Sequence, residues 1–154
     1  MSSNKMSKKY SSGIDSKDTY KIILENLPSI IFTKNSDLIL TYINSQGEKL
    51  LGKKVQEIIG KNDYDFFSVE QAKKLREKDK EVLRSNKAVS SYEEIQVEGR
   101  KLTLKNQKIP LVDENGNKFI LVISQDITEF KQKECELNAL GTKSGYKSPS
   151  VVNF

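Results

Sequence analysis

Apolar residues recur along the chain with two different spacings, which together predict a protein of mixed helix and strand. Spacings of three and four predict one helix over 15–27 and a longer one over 69–85, which begins at a capping box of Ser68 and Gln71. Runs rich in β-branched and aromatic residues predict five strands, over 29–34, 38–43, 88–97, 100–112 and 117–127. Short helical pieces fill 44–59, and a charged helix follows from 128 to 140.

Turn sequences indicate how the strands connect. Asn35-Ser36-Asp37, Glu98-Gly99 and Asp113-Glu114-Asn115-Gly116 are short polar turns between consecutive strands, which is typical of antiparallel hairpins. Strands two and three are instead separated by the helical region. We therefore predict an α+β fold: a five-stranded antiparallel sheet with short helices and one longer helix on one face, and flanking N- and C-terminal helices.

The two ends of the chain differ in composition from its middle. Residues 1–14 and 141–154 are rich in Ser, Lys, Gly and Asn, which predicts a disordered leader and a flexible tail around a domain at 15–129 and a linker helix at 130–140. The chain has 26 basic and 21 acidic residues, and five lysines in the ends account for the whole net charge of +5. The domain itself is therefore neutral. Nucleic-acid binding through the basic ends is a possible function that ranks below the two considered at the end of this section.

Neither a membrane helix nor a secretory signal is indicated by the hydropathy of the chain. The longest apolar run is Phe119–Ile123, far short of the ~20 residues that cross a bilayer. The polar N-terminus lacks the apolar segment of a secretory signal. We therefore expect a soluble cytoplasmic protein.

Three residue types are scarce, and their scarcity excludes several kinds of chemistry. The chain has no His, no Trp and one Cys. A Ser–His or Cys–His catalytic relay, a His-ligated metal, an internal disulfide and an all-Cys zinc cluster are therefore excluded. Asp63 and Asp65 are too few oxygen ligands for Ca²⁺, and we interpret them as solvated loop acids. The sequence predicts neither a catalytic site nor a metal site.

A series of short strings, in this order and at this spacing, resembles the PAS domain, a sensory module of signal-transduction proteins such as sensor histidine kinases. The resemblance covers about residues 16–133. Its strings are Asn26–Asn35, Ile39–Asn44, Leu50–Gly52, Ile58–Lys61, Asp65–Phe67, Ile109–Leu111, the Asp113–Gly116 turn and Ser124–Glu129. The resemblance implies a sheet and small helices that enclose a pocket, frequent dimerisation, and a signal passed to the helix after Asp126-Ile127-Thr128.

The resemblance also implies a set of pocket residues. Aromatic, core and capping positions around the implied pocket predict ligand-binding residues Phe32, Tyr42, Asn44, Gly47, Tyr64, Phe66, Tyr92, Leu104, Leu121 and Ile123. Gly47 stands where the family usually carries Phe, so either a ligand occupies the space beside it or Phe66 or Phe67 fills that space. We interpret Asn44 as a helix cap, and Asp126 and Thr128 as residues that satisfy backbone groups where the signalling helix begins.

The scarce residue types exclude or disfavour several of the cofactors that the resemblance implies. The absence of His excludes His-ligated haem. Cys135 lies beyond Asp126-Ile127-Thr128, which argues against a cysteinyl-flavin adduct, and the missing Trp argues more softly against flavin redox chemistry. A small organic ligand or no ligand remains, and the ligand's identity is not encoded in any recognisable motif.

The function that we predict is a PAS sensor domain of a cytoplasmic signal-transduction protein. It would be homodimeric and would act on a downstream signalling domain or a partner protein. The alternative is a ligand-free PAS module for protein–protein interaction.

Overall fold

The computed structural model describes residues 17–144, with side chains described through residue 140. Its elements are α1 (Lys17–Asn26), β1 (Ile30–Asn35), β2 (Leu40–Ile43), α2 (Ser45–Leu51), α3 (Val55–Ile58), a 3-10 turn (Asp63–Asp65), α4 (Val69–Ser85), β3 (Val89–Val97), β4 (Arg100–Val112), β5 (Lys118–Asp126) and α5 (Thr128–Ser144). The predicted leader at 1–14 lies outside the described residues, as do residues 145–154. Helix α5 continues four residues into the segment predicted as a tail.

The five strands form one antiparallel sheet in the order β2-β1-β5-β4-β3. Hairpins join β1 to β2, β3 to β4, and β4 to β5, while the helical region connects β2 to β3 across the sheet. The last strand therefore lies in the middle of the sheet, between β1 and β4. This arrangement confirms the predicted α+β fold class.

One face of the sheet is covered by α4, and strand periodicity decides which side chains point to it. Along β5 the buried residues are Ile120, Val122 and Ser124, while the residues between them are only partly buried. Helix α4 packs against β4 and β5 and begins with Ser68 accepting a hydrogen bond from the backbone N–H of Gln71 at 3.2 Å. The Ser68 cap of this helix is thus confirmed. The predicted capping box is incomplete, because the Gln71 side-chain oxygen accepts from the backbone N–H of Gln96 at 3.2 Å instead.

The turn between β1 and β2 is longer than the sequence predicts. Leu38 has φ +62°, in the left-handed region that most side chains avoid, and β2 begins only at Leu40. The Leu38 side chain is nevertheless 2% exposed and packs with Val82, Ile120 and Val122. Burial of this side chain in the core offsets the unfavourable backbone conformation.

Asn44 joins three elements near the start of α2. Its side-chain oxygen accepts hydrogen bonds from the backbone N–H of Gly47 at 3.2 Å and of Ile31 at 3.0 Å. Its amide nitrogen donates to the carbonyls of Leu24 and Ser29. All of its polar capacity is used on backbone groups, so Asn44 fixes α1, β1 and α2 relative to one another, as a capping residue does.

Candidate functional site

A cavity of about 60 Å³ lies between the sheet and the helical region. Roughly 10–15 Å³ suffices for one water molecule, so the cavity accommodates several water-sized groups. Most of its wall is apolar. The lining residues are Ile30, Phe32, Lys34, Leu40, Ile43, Leu50, Leu51, Asp63, Phe66, Phe67, Leu75, Glu93, Ile95, Leu104, Asn106, Lys108, Val122 and Ser124.

A buried set of five charged side chains, which we call the charge cluster, adjoins the cavity: Lys34, Asp63, Asp79, Glu93 and Lys108. All of them except Asp79 line the cavity wall. Lys34 Nζ donates to both Asp63 carboxylate oxygens, at 2.9 and 2.7 Å, and to Asp79 Oδ2 at 2.6 Å. Lys108 Nζ donates to Asp79 Oδ1 at 2.7 Å and lies 3.5 Å from Glu93 Oε1. Asp79 therefore bridges the two lysines.

Five different elements contribute one member each to the charge cluster. Lys34 lies on β1, Asp63 in the 3-10 turn, Asp79 on α4, Glu93 on β3 and Lys108 on β4. Every member is less than 9% exposed, and Asp79 is fully buried. Since a buried charge is stable only when it is paired, the cluster ties the positions of these five elements together.

The charge cluster continues into a hydrogen-bonded pair on the central strands. Asn106 Nδ2 donates to Glu93 Oε2 at 2.6 Å, and the Ser124 hydroxyl donates to Asn106 Oδ1. Asn106 and Ser124 are directly opposite each other on β4 and β5. Polar contacts therefore extend from the cluster to the strand that leads into α5.

The pKa values of the cluster residues are shifted in directions that follow from their surroundings. Burial alone raises the pKa of Asp79, but the ammonium groups of Lys34 and Lys108 outweigh burial and hold this pKa below its ordinary value. Burial alone lowers the pKa of Lys34, but Asp79 and Asp63 outweigh burial and raise it. Burial raises the pKa of Asp63, and Lys34 offsets this only in part. Asp63 is thus more easily protonated than Asp79.

The interpretation of Asp63 as a solvated loop acid is wrong. Its carboxylate is only 6% exposed, because the 3-10 turn directs it inward onto Lys34. The charge cluster as a whole was missed by sequence reasoning, although the sequence contains a signal for it. Asp79 occupies the helical spacing set by the buried residues Ala72 and Val82, a position where an apolar residue is expected.

The predicted pocket residues divide into those that line the cavity and those that do not. Phe32, Phe66 and Leu104 lie on its wall. Asn44 and Gly47 are buried, but they lie at the start of α2, where Asn44 caps the helix and accepts from the backbone N–H of Gly47. The proposed ligand space beside Gly47 is absent, because a Cβ placed there would lie 2.3 Å from Cγ1 of Ile43. Ile43 fills that space, so the alternative that Phe66 or Phe67 fills it is also wrong.

The three predicted tyrosines do not line the cavity, because each makes its own contact elsewhere. The Tyr42 hydroxyl donates to Glu25 at 3.0 Å, and burial, followed by this hydrogen bond, raises the pKa of Tyr42 to about 12. Tyr64 and Tyr92 are exposed, and their rings lie beneath cationic side chains. The ring centroids are 5.1 Å from the guanidinium of Arg76 and 5.2 Å from the ammonium of Lys131, respectively.

Leu121 and Ile123, also predicted as pocket residues, do not line the cavity. Both lie on the outer face of the sheet, because the inward positions of β5 are Ile120, Val122 and Ser124. The apolar run at 119–123 gives no alternation from which the inward face could be identified.

The junction between β5 and α5 is fixed by side-chain and backbone hydrogen bonds. Asp126 Oδ1 accepts from the backbone N–H of Thr128 at 3.0 Å and from its hydroxyl. Thr128 Oγ1 accepts from the backbone N–H of Thr103 on β4 at 2.9 Å, and Ile127 N–H donates to the carbonyl of Thr103 at 2.9 Å. The start of α5 is therefore held on β4 as well as on β5.

The side-chain clusters and helices of residues 17–144 bear on two further kinds of site, a metal site and a membrane-spanning helix. In this described part of the chain, no group of three or more Cys, Asp or Glu side chains is arranged to hold a metal ion. None of the helices described there is both long and apolar enough to cross a membrane.

Comparison with known proteins gives consistent matches. A family model described as the PAS fold matches residues 24–132. The chain is 29% identical over 123 residues to the methanogenesis regulatory histidine kinase FilI of Methanothrix harundinacea, covering 79% of this chain and 14% of FilI. It is 30% identical over 111 residues to the aerobic respiration control sensor protein ArcB of Escherichia coli, covering 71% of this chain and 14% of ArcB.

Solved structures agree with these sequence matches. A PAS domain from Colwellia psychrerythraea superimposes with a TM-score of 0.63 at 14% identity, covering 73% of this chain and 97% of that domain. At this identity the likeness concerns the fold. The chain spans only about one seventh of the length of FilI and ArcB.

Proposed function

The chain belongs to the PAS fold family and is a PAS sensor domain, and from this we propose that it binds a small molecule in its cavity and passes the change to α5. The host would be a cytoplasmic signal-transduction protein. The receiver of the signal would be a downstream signalling domain or a partner protein. This is supported by the likeness to FilI, a regulatory histidine kinase, and to ArcB, a respiration control sensor protein.

One observation carries this proposal: the strands that line the cavity also hold the start of α5. Leu104, Asn106 and Lys108 on β4 and Ser124 on β5 lie on the cavity wall. Thr103 and Asp126, on the same two strands, bind Thr128 and Ile127. A ligand that shifts β4 against β5 would therefore alter the two hydrogen bonds that join Thr103 to Thr128 and to Ile127. Ligand binding would thereby change the populations of two α5 arrangements.

The test is a binding survey by nuclear magnetic resonance. The full chain, labelled with ¹⁵N, is titrated with small organic molecules of about six non-hydrogen atoms or fewer, chosen to include cationic, anionic and neutral members. The proposal predicts that a binding member shifts amide signals on the cavity strands and also those from Ile127 to Lys131. Shifts confined to the cavity would contradict transmission, and a survey without any binding would contradict ligand sensing.

A second candidate function is favoured by the exposed apolar side chains of α1. Tyr20, Ile22 and Ile23 are 54%, 62% and 45% exposed, and no residue of this helix is buried. A helix with such a surface is stabilised by contact with another apolar surface. We propose that this surface mediates homodimerisation, which would serve either a sensor or an interaction module.

Native mass spectrometry of the full chain tests the dimer directly. Ile22→Glu is expected to shift the population towards monomer by placing a charge in the interface. Lys21→Glu makes a larger change in charge on the same helix and serves as the control. A monomeric wild-type chain, or a dimer insensitive to Ile22→Glu, would contradict this role of α1.

A further inference from the structure

The unused hydrogen-bonding capacity of the charge cluster consists of acceptors. An ammonium group has three N–H donors, and Lys34 directs all three at the carboxylates of Asp63 and Asp79. Lys108 directs its donors at Asp79 Oδ1, at the carbonyl of Leu75 at 3.5 Å and towards Glu93. Each carboxylate oxygen, by contrast, accepts about two hydrogen bonds. An incoming donor therefore finds partners here, while an incoming anion would first have to break an ion pair.

The net charge of the cluster also favours a cationic ligand. Its buried members are three carboxylates and two ammonium groups, which leaves one negative charge in excess. A third lysine, Lys78, lies 3.4 Å from Glu93 Oε1, but its side chain is 43% exposed and lines the outer groove between α4 and β3. Solvent weakens that pair, so the buried side of Glu93 favours a further cation.

The rest of the cavity wall suits the apolar body of such a cation. Phe32, Phe66 and Phe67 line it, together with aliphatic residues. Aromatic faces attract cations as well as apolar groups, and the Lys34 ammonium already lies 5.7 Å from the centroid of the Phe32 ring. The volume of about 60 Å³ limits the body to a few carbon atoms.

We propose that the cavity binds a small organic cation, a short alkylammonium. Its N–H groups donate to Asp63 and Glu93, the two carboxylates of the cluster that line the cavity, and its alkyl chain lies against the phenylalanine rings. This inference rests on the proposed ligand-sensing function and names the chemical class of the ligand.

The test uses n-butylammonium chloride as the probe, with sodium butyrate and n-butanol as molecules of similar size. Each is titrated into the full chain at constant ionic strength, and affinity is measured from ¹⁵N amide shifts and from the rise in Tm. We expect n-butylammonium to bind at least about tenfold more tightly than n-butanol, the effect of one charge-assisted hydrogen bond, and we expect butyrate not to bind.

Variants test whether the named carboxylates hold the ammonium group. Glu93→Gln and Asp63→Asn are each expected to weaken binding by about tenfold. Glu94→Gln is the matched control, because Glu94 is the next residue on β3, is 65% exposed and pairs with Lys101. Lys78→Gln removes a competing cation beside Glu93 and is expected to strengthen binding, a direction that mere loss of stability would not produce.

The outcomes separate this proposal from the function on which it rests. Tighter binding of butyrate or n-butanol than of n-butylammonium would overturn the cation proposal and leave ligand sensing intact. Binding of n-butylammonium that neither Glu93→Gln nor Asp63→Asn weakens would also overturn it. If none of the three probes binds, the cation proposal is overturned. Ligand sensing is also contradicted only if no molecule in the wider ¹⁵N titration survey binds. Circular dichroism establishes that each variant is folded.

Discussion

Asp79→Asn removes the carboxylate that bridges the two buried lysines. Asp79 is fully buried and receives Lys34 Nζ at 2.6 Å and Lys108 Nζ at 2.7 Å. The variant keeps the size of the side chain but leaves two buried ammonium groups, Lys34 and Lys108, without the carboxylate that bridges them. Removing one partner of a buried ion pair lowers the free energy of unfolding by about 3–5 kcal/mol, and we expect a loss of that size.

Urea unfolding of the full chain at pH 7, followed by circular dichroism, measures this loss. Glu77→Gln is the matched control, because Glu77 is exposed on the same helix and the change in charge is the same. The control is expected to stay within ~0.5 kcal/mol of wild type. A loss below ~1 kcal/mol for Asp79→Asn would refute the reasoning that this carboxylate holds the cluster together.

The comparison of wild type with Asp79→Asn also predicts how the free energy of unfolding depends on pH. Because the pKa of folded Asp79 lies below its ordinary value of 3.8, this residue contributes stability that is present above about pH 4 and is lost as pH falls through the lowered pKa. The stability difference between wild type and Asp79→Asn should therefore shrink below pH 4. The pKa of Asp63 is raised, so its contribution to stability changes with pH in the opposite direction. Because Asp63 is present in both proteins, its contribution largely cancels in the difference. A difference that stays constant down to pH 2 would contradict the lowered pKa.

Three further predictions concern positions outside the charge cluster. Thr128→Val removes the acceptor for Thr103 N–H, so we expect a loss of about 1 kcal/mol and faster hydrogen exchange at the start of α5; unchanged exchange would contradict its anchoring role. In wild type, ultraviolet titration should show one tyrosine with a pKa of about 12, and Tyr42→Phe should abolish that transition; persistence of the transition would refute the assignment. Gly47→Ala places a methyl group against Ile43 and should lower stability by about 1–3 kcal/mol in thermal unfolding, whereas an unchanged Tm would mean that the space is open.

The fold was predictable because the signals for it are local. Hairpin turns, strand periodicity and the Ser68 cap each lie within a few residues, and together they predict the sheet and its helical connection. The start of β2 was not predictable in this way. Leu38 adopts a left-handed backbone conformation that its residue type disfavours, and only burial of its side chain explains the choice.

The site was predictable only where its residues are apolar. Phe32, Phe66 and Leu104 suit the wall of a cavity by residue type alone. The charge cluster was not predictable in the same way, because charged residues are usually exposed and its partners are distant in sequence. Lys34 lies 29 residues from Asp63 and 45 from Asp79, so their pairing emerges only when the turn and α4 pack on the sheet.

The central claim is that occupation of the cavity changes the start of α5. Hydrogen exchange at Ile127 and Lys131 tests it most directly, because their N–H groups donate to the carbonyls of Thr103 and Ile127 at 2.9 Å. With n-butylammonium at saturation, we predict changed exchange at both amides as well as on the cavity strands β4 and β5. Changed exchange on these strands with Ile127 and Lys131 unaltered would contradict the claim.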